Sequence, residues 1–264
     1  MASSSEVGHA KNVANFQDLI SVCTGYGIKY NPSNVALILA NLNILYTNAD
    51  TLMDNVDTAS QAYQSAVGIR RAEFEPLKKL ATRLVNAYLS TATTKEKKAN
   101  AKTINAKIQG IKLKKVKEVT PTLTPTGSGE IIISKTVDPS TPIVIDTPKE
   151  VSASQQSYDQ LIEHFSKLIV LLSSDPLFAP NELDLQTSAL NLKLTALKNA
   201  NSNFGNAYTT VTNTRIARNH ALYDKNTGLY DVAQSVKKYV LSVFEAKAPE
   251  YKMISKIQFK NQKV

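Results

Sequence analysis

The chain has 264 residues, of which 42% are hydrophobic and 20% are charged, and its formal net charge is +9 at pH 7. These values are typical of a soluble globular protein with one large core or two modest ones. The single cysteine, Cys23, excludes an intrachain disulfide. No stretch approaches the roughly 18 apolar residues of a membrane span. We therefore expect a cytoplasmic protein without a transmembrane segment.

The N-terminal region predicts an amphipathic helix followed by a corner. Apolar residues recur at intervals of three and four, which places them on one helical face: Val13, Phe16, Ile20 and Cys23. Cys23 on this face is expected to be a buried, unreactive thiol. The corner is the sequence YNPSNVAL (30–37), where Pro32 suits the first turn of the next helix.

The next element is predicted to be a long helix with an unbroken apolar stripe. Residues at heptad spacing form this stripe: Ile38, Leu42, Leu45, Ala49, Leu52, Val56, Ala59, Tyr63 and Ala66. A helix of roughly 35 residues is about 50 Å long. Because its flanks are small and polar, we expect this rod to pack against another helix of the same chain.

A third helix is predicted to begin near Pro76, and a shorter fourth helix carries Ile104 and Ile108. From Lys95 to Lys117 the chain has nine lysines and one acid, Glu96, which gives a local charge of +8. This segment is typical of a solvated helical face. The alternative is a site for polyanions, for which the candidate residues are Lys112, Lys114, Lys115 and Lys117.

The central segment, residues 119–150, has a different character. Five of the ten prolines lie here, and two short β-branched runs, EIIIS and PIVID, predict strands. One interpretation is a stiff linker with a short β-hairpin. The other is an arm that adds strands to a neighbouring subunit through Ile131, Ile132, Ile133, Ile143, Val144 and Ile145.

The second half repeats the first at an offset of about 148 residues. FAPNELDL (178–185) has the pattern of the first corner, and Leu190, Leu194, Leu197, Phe204, Ala207 and Val211 continue a similar stripe. We read this as a tandem duplication. The predicted fold is mainly α, with pseudo-symmetric helical-bundle units at 10–118 and 151–260, long antiparallel helices, and the Pro-rich segment between them.

Several stretches resemble a helical tandem-repeat family of about 250 residues from Bacteroidetes bacteria, to which no activity is assigned. They are YNPSN, KKLATRLVNA, AKTINAKIQG, FAPNE, ARNHALYD and PEYKMISKIQF. The resemblance implies duplication and a bacterial cytosolic origin. It brings no catalytic residue to this chain.

Residues for catalysis or metal binding are sparse. His9 lies in a terminus that is expected to be loose, and neither His164 nor His220 has a ligand at metal-binding spacing. We expect no enzymatic activity and no cofactor. Arg70 and Arg218 occupy equivalent positions after the long helices. There an arginine can interact favourably with the negative end of the helix dipole or form an ion pair with an acidic residue of the same copy; alternatively, the two arginines are repeated interface anchors.

Three functions are compatible with these patterns. The first is a non-enzymatic structural protein that self-associates into a homo-oligomer, filament, tube or layer. The second is non-specific binding of nucleic acid or another polyanion through Lys95–Lys117. The third is a helical pore-forming protein in which IIISKTVDPSTPIVI (131–145) enters a membrane.

Overall fold

The computed structural model describes residues 4–111 and 156–262, and in this part of the chain the fold is mainly helical. Eight α-helices are present in the described residues: α1 Ser4–Gly25, α2 Leu39–Phe74, α3 Leu77–Leu89, α4 Lys95–Gln109, α5 Tyr158–Ser173, α6 Thr187–Tyr223, α7 Leu229–Phe244 and α8 Pro249–Ser255. Short 3₁₀ turns occur at Gly27–Lys29, Val35–Leu37 and Leu183–Leu185. The prediction of a mainly α protein is confirmed.

The chain forms two compact units. Unit 1 consists of Met1–Arg70 and Ser202–Val264, and unit 2 is the continuous stretch Arg71–Asn201. In unit 1, α7 packs against α1, α8 and the 3₁₀ turn Val35–Leu37, and in unit 2 α4 packs against α3 and α5. Each unit has its own cluster of buried apolar side chains.

These compact units do not coincide with the units at 10–118 and 151–260 that the sequence suggested. Unit 1 joins α1 to α7 and α8, and unit 2 joins α3 and α4 to α5. The reason is that α2 and α6 each continue from one compact unit into the other. The predicted units 10–118 and 151–260 therefore divide the chain at places that differ from the limits of the compact units.

The two long helices follow the predicted apolar stripes. In α2 the stripe residues are buried or half-buried, and Leu42, Ala49, Val56 and Ala59 are the buried ones. In α6 the buried stripe residues are Leu190, Leu197 and Val211. Helix formation is favoured because neither helix contains proline and because one face removes apolar surface from water.

The ends of the shorter helices follow local rules. Pro76 precedes α3, as expected, and Gly228 precedes α7. Thr94 and Ser157 accept hydrogen bonds at the starts of α4 and α5 from the backbone N–H groups three residues later, at 3.4 and 3.3 Å. Gly110 ends α4 with φ +81°, a left-handed conformation that glycine adopts without strain.

The two corners depart from the prediction in the same way. Pro32 and Pro180 do not begin the long helices; each lies in a segment without regular secondary structure that leads to a 3₁₀ turn, and the long helices begin seven residues after each proline. In the first corner the Asn34 side chain accepts from the Ala36 N–H at 3.0 Å, and this cap stabilises the 3₁₀ turn instead of the long helix. The predicted hairpin, with Ile131–Ile133 and Ile143–Ile145, lies outside the described residues.

Candidate interaction site at the two corners

We define corner 1 as residues 26–38 and corner 2 as residues 174–186. Corner 1 belongs to unit 1 and is fixed by two tyrosines. The Tyr26 hydroxyl donates to the Glu250 carbonyl at 2.7 Å, and the Tyr30 hydroxyl donates to the Leu37 carbonyl at 2.7 Å. The Tyr30 side chain is buried beside Cys23. Both ends of the short turn between these tyrosines are therefore anchored.

Cys23 is fully buried, which confirms the expectation of a buried thiol. Burial raises the pKa of the Cys23 thiol to about 12, and a hydrogen bond with Tyr30 partly offsets this rise. At neutral pH the sulfur is protonated and does not act as a nucleophile.

Corner 2 belongs to unit 2 and is organised around the buried carboxylate of Asp175. Its oxygens accept hydrogen bonds from the Tyr88 hydroxyl at 2.7 Å, from the Thr93 hydroxyl and from the Leu177 N–H at 3.2 Å. The Lys97 ammonium lies 3.3 Å from the same carboxylate. Hydrogen bonds from Thr93 and then Tyr88 hold the pKa of Asp175 well below its usual range.

The same aromatic pair occurs at both corners. In unit 1 the Tyr30 ring meets the Tyr239 ring edge-on, with centroids 5.3 Å apart. In unit 2 the Phe178 ring meets the Tyr88 ring edge-on at 5.8 Å. Tyr30 and Phe178 are the first residues of the two repeated corner sequences. Edge-to-face rings are a favourable geometry, so each pair fixes its corner to the adjacent helix.

Comparison with protein families, with curated proteins and with solved structures found no match to this chain. The resemblance to the Bacteroidetes family therefore stays a prediction. The functional interpretation depends on the geometry of the described residues alone.

Large apolar side chains are exposed at equivalent positions of the two corners. Val35 and Leu183, which are 148 residues apart, are 66% and 78% exposed. Ile44 and Leu192, also 148 residues apart and near the starts of α2 and α6, are 67% and 74% exposed. The turns at the tips also carry exposed apolar side chains, although not at equivalent positions: Ile28 in corner 1 is 98% exposed, and Leu177 in corner 2 is 54% exposed.

The sequence analysis missed these residues because it followed the buried stripes. Ile44 and Leu192 lie off the stripes of α2 and α6, where polar residues are expected. The available signal was the predicted repeat, because apolar residues that lie off the buried stripe and recur at the same offset are candidates for a surface contact.

A shallow groove of about 520 Å³ lies beside corner 2 within unit 2. Ala87 of α3 and Leu177, Phe178, Pro180 and Leu185 of the corner segment contribute its apolar surface, and Arg83 and Glu182 are among its polar residues. The Arg83 guanidinium also forms a 2.5 Å ion pair with Asp184. Corner 1, by contrast, contains Lys29 and no acidic residue.

The two arginines that were candidate interface anchors both lie in unit 1. Arg218 is only 3% exposed, and its guanidinium donates to the Asn219 side chain at 2.9 Å. Arg218 therefore has little exposed surface for contact with a partner, and its interface role stays a prediction. Arg70 is half-buried with its guanidinium 3.3 Å from the centre of the Phe204 ring, a cation–π contact within the chain. An interface role for Arg70 stays a prediction.

The candidate polyanion residues Lys112, Lys114, Lys115 and Lys117 lie outside the described residues. Two of the lysines on α4 are used inside unit 2: Lys97 approaches Asp175, and the Lys98 ammonium donates to the Thr91 carbonyl at 2.7 Å. Polyanion binding through Lys95–Lys117 therefore stays a prediction. Because Lys97 and Lys98 already make contacts within unit 2, fewer lysines of α4 are available to bind a polyanion.

The histidines occupy three different environments. His9 is buried, with its Nδ1 2.7 Å from the Tyr223 hydroxyl, so the expectation of a loose terminus at His9 is wrong. The cause is a contact with the far end of α6, 214 residues away in sequence. His164 is buried in α5, and His220 is exposed with its Nδ1 2.8 Å from Asp224.

Within residues 4–111 and 156–262, no group of three or more His, Cys, Asp or Glu side chains is placed to hold a metal ion. In the same part of the chain, no helix has the length and apolar character needed to cross a membrane.

Proposed function

We propose that this protein is a structural protein that associates with copies of itself through its two corners, into a homo-oligomer or a polymer. The observation that carries the proposal is the recurrence of exposed apolar side chains at the same offset, Val35 with Leu183 in the corners and Ile44 with Leu192 in the helices that follow them. Single exposed apolar residues are ordinary on protein surfaces. A pair that recurs at the same offset in two repeats is better explained by a common use.

A tandem duplication, which we propose as the origin of the fold, is supported by the local structure. The backbone of residues 30–40 passes through the same sequence of conformations as residues 178–188: chain without regular secondary structure, bend, 3₁₀ turn, bend and helix. The buried residues also correspond, as with Phe16 and Phe165 or Leu37 and Leu185. Duplicated corners would present two similar surfaces on one chain.

Two surfaces on one chain have a direct consequence for assembly. Burying apolar surface is favourable by roughly 25 cal/mol for each Å² removed from water. A chain with exposed apolar side chains at both corners can bind two neighbouring copies, and such contacts give a closed ring or an open filament. Corner 1 is also anchored by Tyr26 and Tyr30, and corner 2 by the hydrogen bond from Tyr88 to Asp175, so little conformational freedom is lost when they dock.

The test is the molar mass of the protein over a range of concentrations, measured by size-exclusion chromatography with light scattering. We expect masses above the 28.9 kDa of a single chain at micromolar concentrations. The variant Val35→Ser/Leu183→Ser should shift the mass towards that of one chain. Ile69→Ser/Ile216→Ser is the matched control, because these residues are also about half-exposed but do not occupy equivalent repeat positions. A wild-type protein that stays a single chain at all concentrations would end the proposal.

A further inference from the structure

The tip of corner 1 presents one isoleucine almost entirely to solvent. Ile28 is 98% exposed, more than any other large apolar side chain among the described residues. It lies in the 3₁₀ turn Gly27–Lys29, and Gly27 has φ +55°. This left-handed backbone conformation favours glycine and lets the chain turn sharply at the tip.

The residues on either side hold this tip in place. The Tyr26 ring lies 4.9 Å from the Phe244 ring, and its hydroxyl binds the Glu250 carbonyl. On the other side Tyr30 is buried. The exposed Ile28 is therefore not on a loose loop. A side chain that is already fixed loses little freedom when it enters a partner's groove.

Corner 2 lacks an apolar side chain as exposed as Ile28. In the turn equivalent to Gly27–Lys29, Asp175 is buried and its carboxylate accepts hydrogen bonds from Tyr88 and Thr93, and Leu177 is 54% exposed. Next to this turn lies the groove of about 520 Å³, in which the exposed Leu177 and the half-buried Pro180 stand beside polar residues such as Asn181. Its volume falls within the roughly 300–1,000 Å³ that is common for binding clefts.

The charges of the two corners are also complementary. Lys29 follows Ile28 directly at the tip, and it is the only charged residue in corner 1. Glu182 lines the groove of corner 2 and is exposed. Opposite charges at the rim of an apolar contact select the partner and fix its orientation.

We propose that corner 1 of one copy inserts Ile28 into the corner 2 groove of a second copy, with Lys29 facing Glu182. This inference rests on the proposed self-association and specifies its surfaces. The contact joins two different surfaces, so each chain both inserts a tip and receives one. Such a head-to-tail contact produces a ring if its rotation closes, and a helical filament if it does not.

The apolar part of the contact is tested by Ile28→Ser, with Ile69→Ser as the control at another exposed isoleucine. Sedimentation velocity of the full chain should show association at least about fivefold weaker for Ile28→Ser, the loss typical of an interface residue that matters. The control should associate like the wild type. Because both side chains are exposed, circular dichroism should show unchanged helix content for both variants.

The charged part is tested by reversal. Lys29→Glu and Glu182→Lys should each weaken association, and the double variant should restore it. An equimolar mixture of the two single variants should also associate, because each tip then finds a groove of opposite charge. Glu75→Lys, which reverses an exposed acid outside the corners, is the control. The effects of reversal should shrink at 1 M salt, where the screening length is about 3 Å.

The outcomes separate this inference from the proposed function. If the wild type associates and Ile28→Ser has no effect, or the double reversal and the mixture do not restore association, the head-to-tail contact is wrong and self-association stands. If the wild type does not associate at any concentration, both proposals are wrong. Restoration in the mixture, together with weak association of each single variant, establishes the contact.

Discussion

Asp175 and His164 are two buried titratable residues in unit 2, and their surroundings differ. The Asp175 carboxylate accepts hydrogen bonds from Tyr88, Thr93 and Leu177. His164 is buried in α5, and neither of its ring nitrogens has a hydrogen-bond partner within the described residues. A satisfied buried carboxylate stabilises the fold as an anion, whereas an unpartnered buried imidazole favours its neutral form. Both residues therefore couple stability to pH.

Replacing Asp175 by Asn is expected to lower the stability of the fold at pH 7. The pKa of Asp175 is depressed, chiefly by the hydrogen bond from Thr93, so its stabilising effect is complete above the unfolded value of about 3.9 and is lost as the pH falls through the folded value. The urea midpoint of Asp175→Asn should lie below that of the wild type at pH 7, with a smaller gap at pH 3. Asp184→Asn, at an exposed carboxylate, is the control and should change the midpoint little. Equal midpoints for Asp175→Asn and the wild type at pH 7 would contradict the role of this network.

Replacing His164 by Leu is expected to reduce the loss of stability in mild acid. Burial is the main cause that lowers the pKa of His164, and Lys107 adds to it. Below the unfolded value of about 6.5, the unfolded chain binds a proton that the folded chain does not, so stability falls as the pH decreases towards the folded value. The urea midpoint of the wild type should drop between pH 7.5 and 5.5, and that of His164→Leu should drop less. His220→Gln, at an exposed histidine, should retain the wild-type drop; a His164→Leu curve parallel to the wild type would show that His164 is not the cause.

At the scale of secondary-structure elements, α2 and α6 are the two longest helices of the described residues, and their apolar stripes show how they pack. Each helix presents one face of buried or half-buried apolar residues, and the opposite face is mostly polar. In unit 1 the two helices meet where the Tyr63 ring lies 5.5 Å from the Phe204 ring and 5.9 Å from the Tyr208 ring. For helices with small and polar flanks, this packing is the main source of stability.

A matched pair of leucines on α6 tests that conclusion. Leu197 is fully buried and Leu192, five residues earlier on the same helix, is 74% exposed. Leu197→Ala should lower the free energy of unfolding by about 2–5 kcal/mol, because it removes buried methyl groups and leaves a cavity. Leu192→Ala should change it by less than about 0.5 kcal/mol. Urea denaturation measures both values, and similar losses for the two variants would show that the stripe does not determine packing.

The sequence predicted the long helices well because their stripes extend over many turns, and it predicted α3 because Pro76 marks its start. It did not predict the 3₁₀ turns, because Pro32 and Pro180 fit a helix start equally well and the following residues decide the conformation. The contacts of Asp175 and His9 were also beyond the sequence. Their partners Tyr88 and Tyr223 are 87 and 214 residues away, and local patterns do not record such distant pairs.

At the scale of the whole molecule, the two compact units share the chain in an unusual way. Unit 2 is a continuous stretch, whereas unit 1 needs both ends of the chain. The joining contacts in unit 1 include the Asn12 side chain, which donates to the Lys260 carbonyl at 2.8 Å and accepts from the Lys260 N–H at 3.0 Å. Neither of the predicted units, 10–118 and 151–260, therefore contains a complete compact unit by itself.

Fragments 1–118 and 151–264 are expected to fold only together. Each fragment alone lacks the helices that its own helices pack against, such as α7 for α1 and α5 for α4. Co-expressed fragments should elute as a 1:1 complex with cooperative unfolding, whereas each separate fragment should lack a cooperative transition by circular dichroism. A fragment 71–201, which contains unit 2, is the control and should fold alone. Independent cooperative folding of 1–118 would show that the repeats are self-sufficient.

The split composition of unit 1 also affects the order in which a ribosome can finish the protein. Unit 2 is complete once residue 201 has been made, but α1 waits for the 63 residues from 202 to 264. At roughly 5–20 residues per second, this delay is about 3–13 s. During it, the apolar side chains of Phe16 and Leu19, buried in the finished protein, have no α7 to cover them. A truncation before α7 would therefore leave these side chains of α1 exposed to chaperones and proteases.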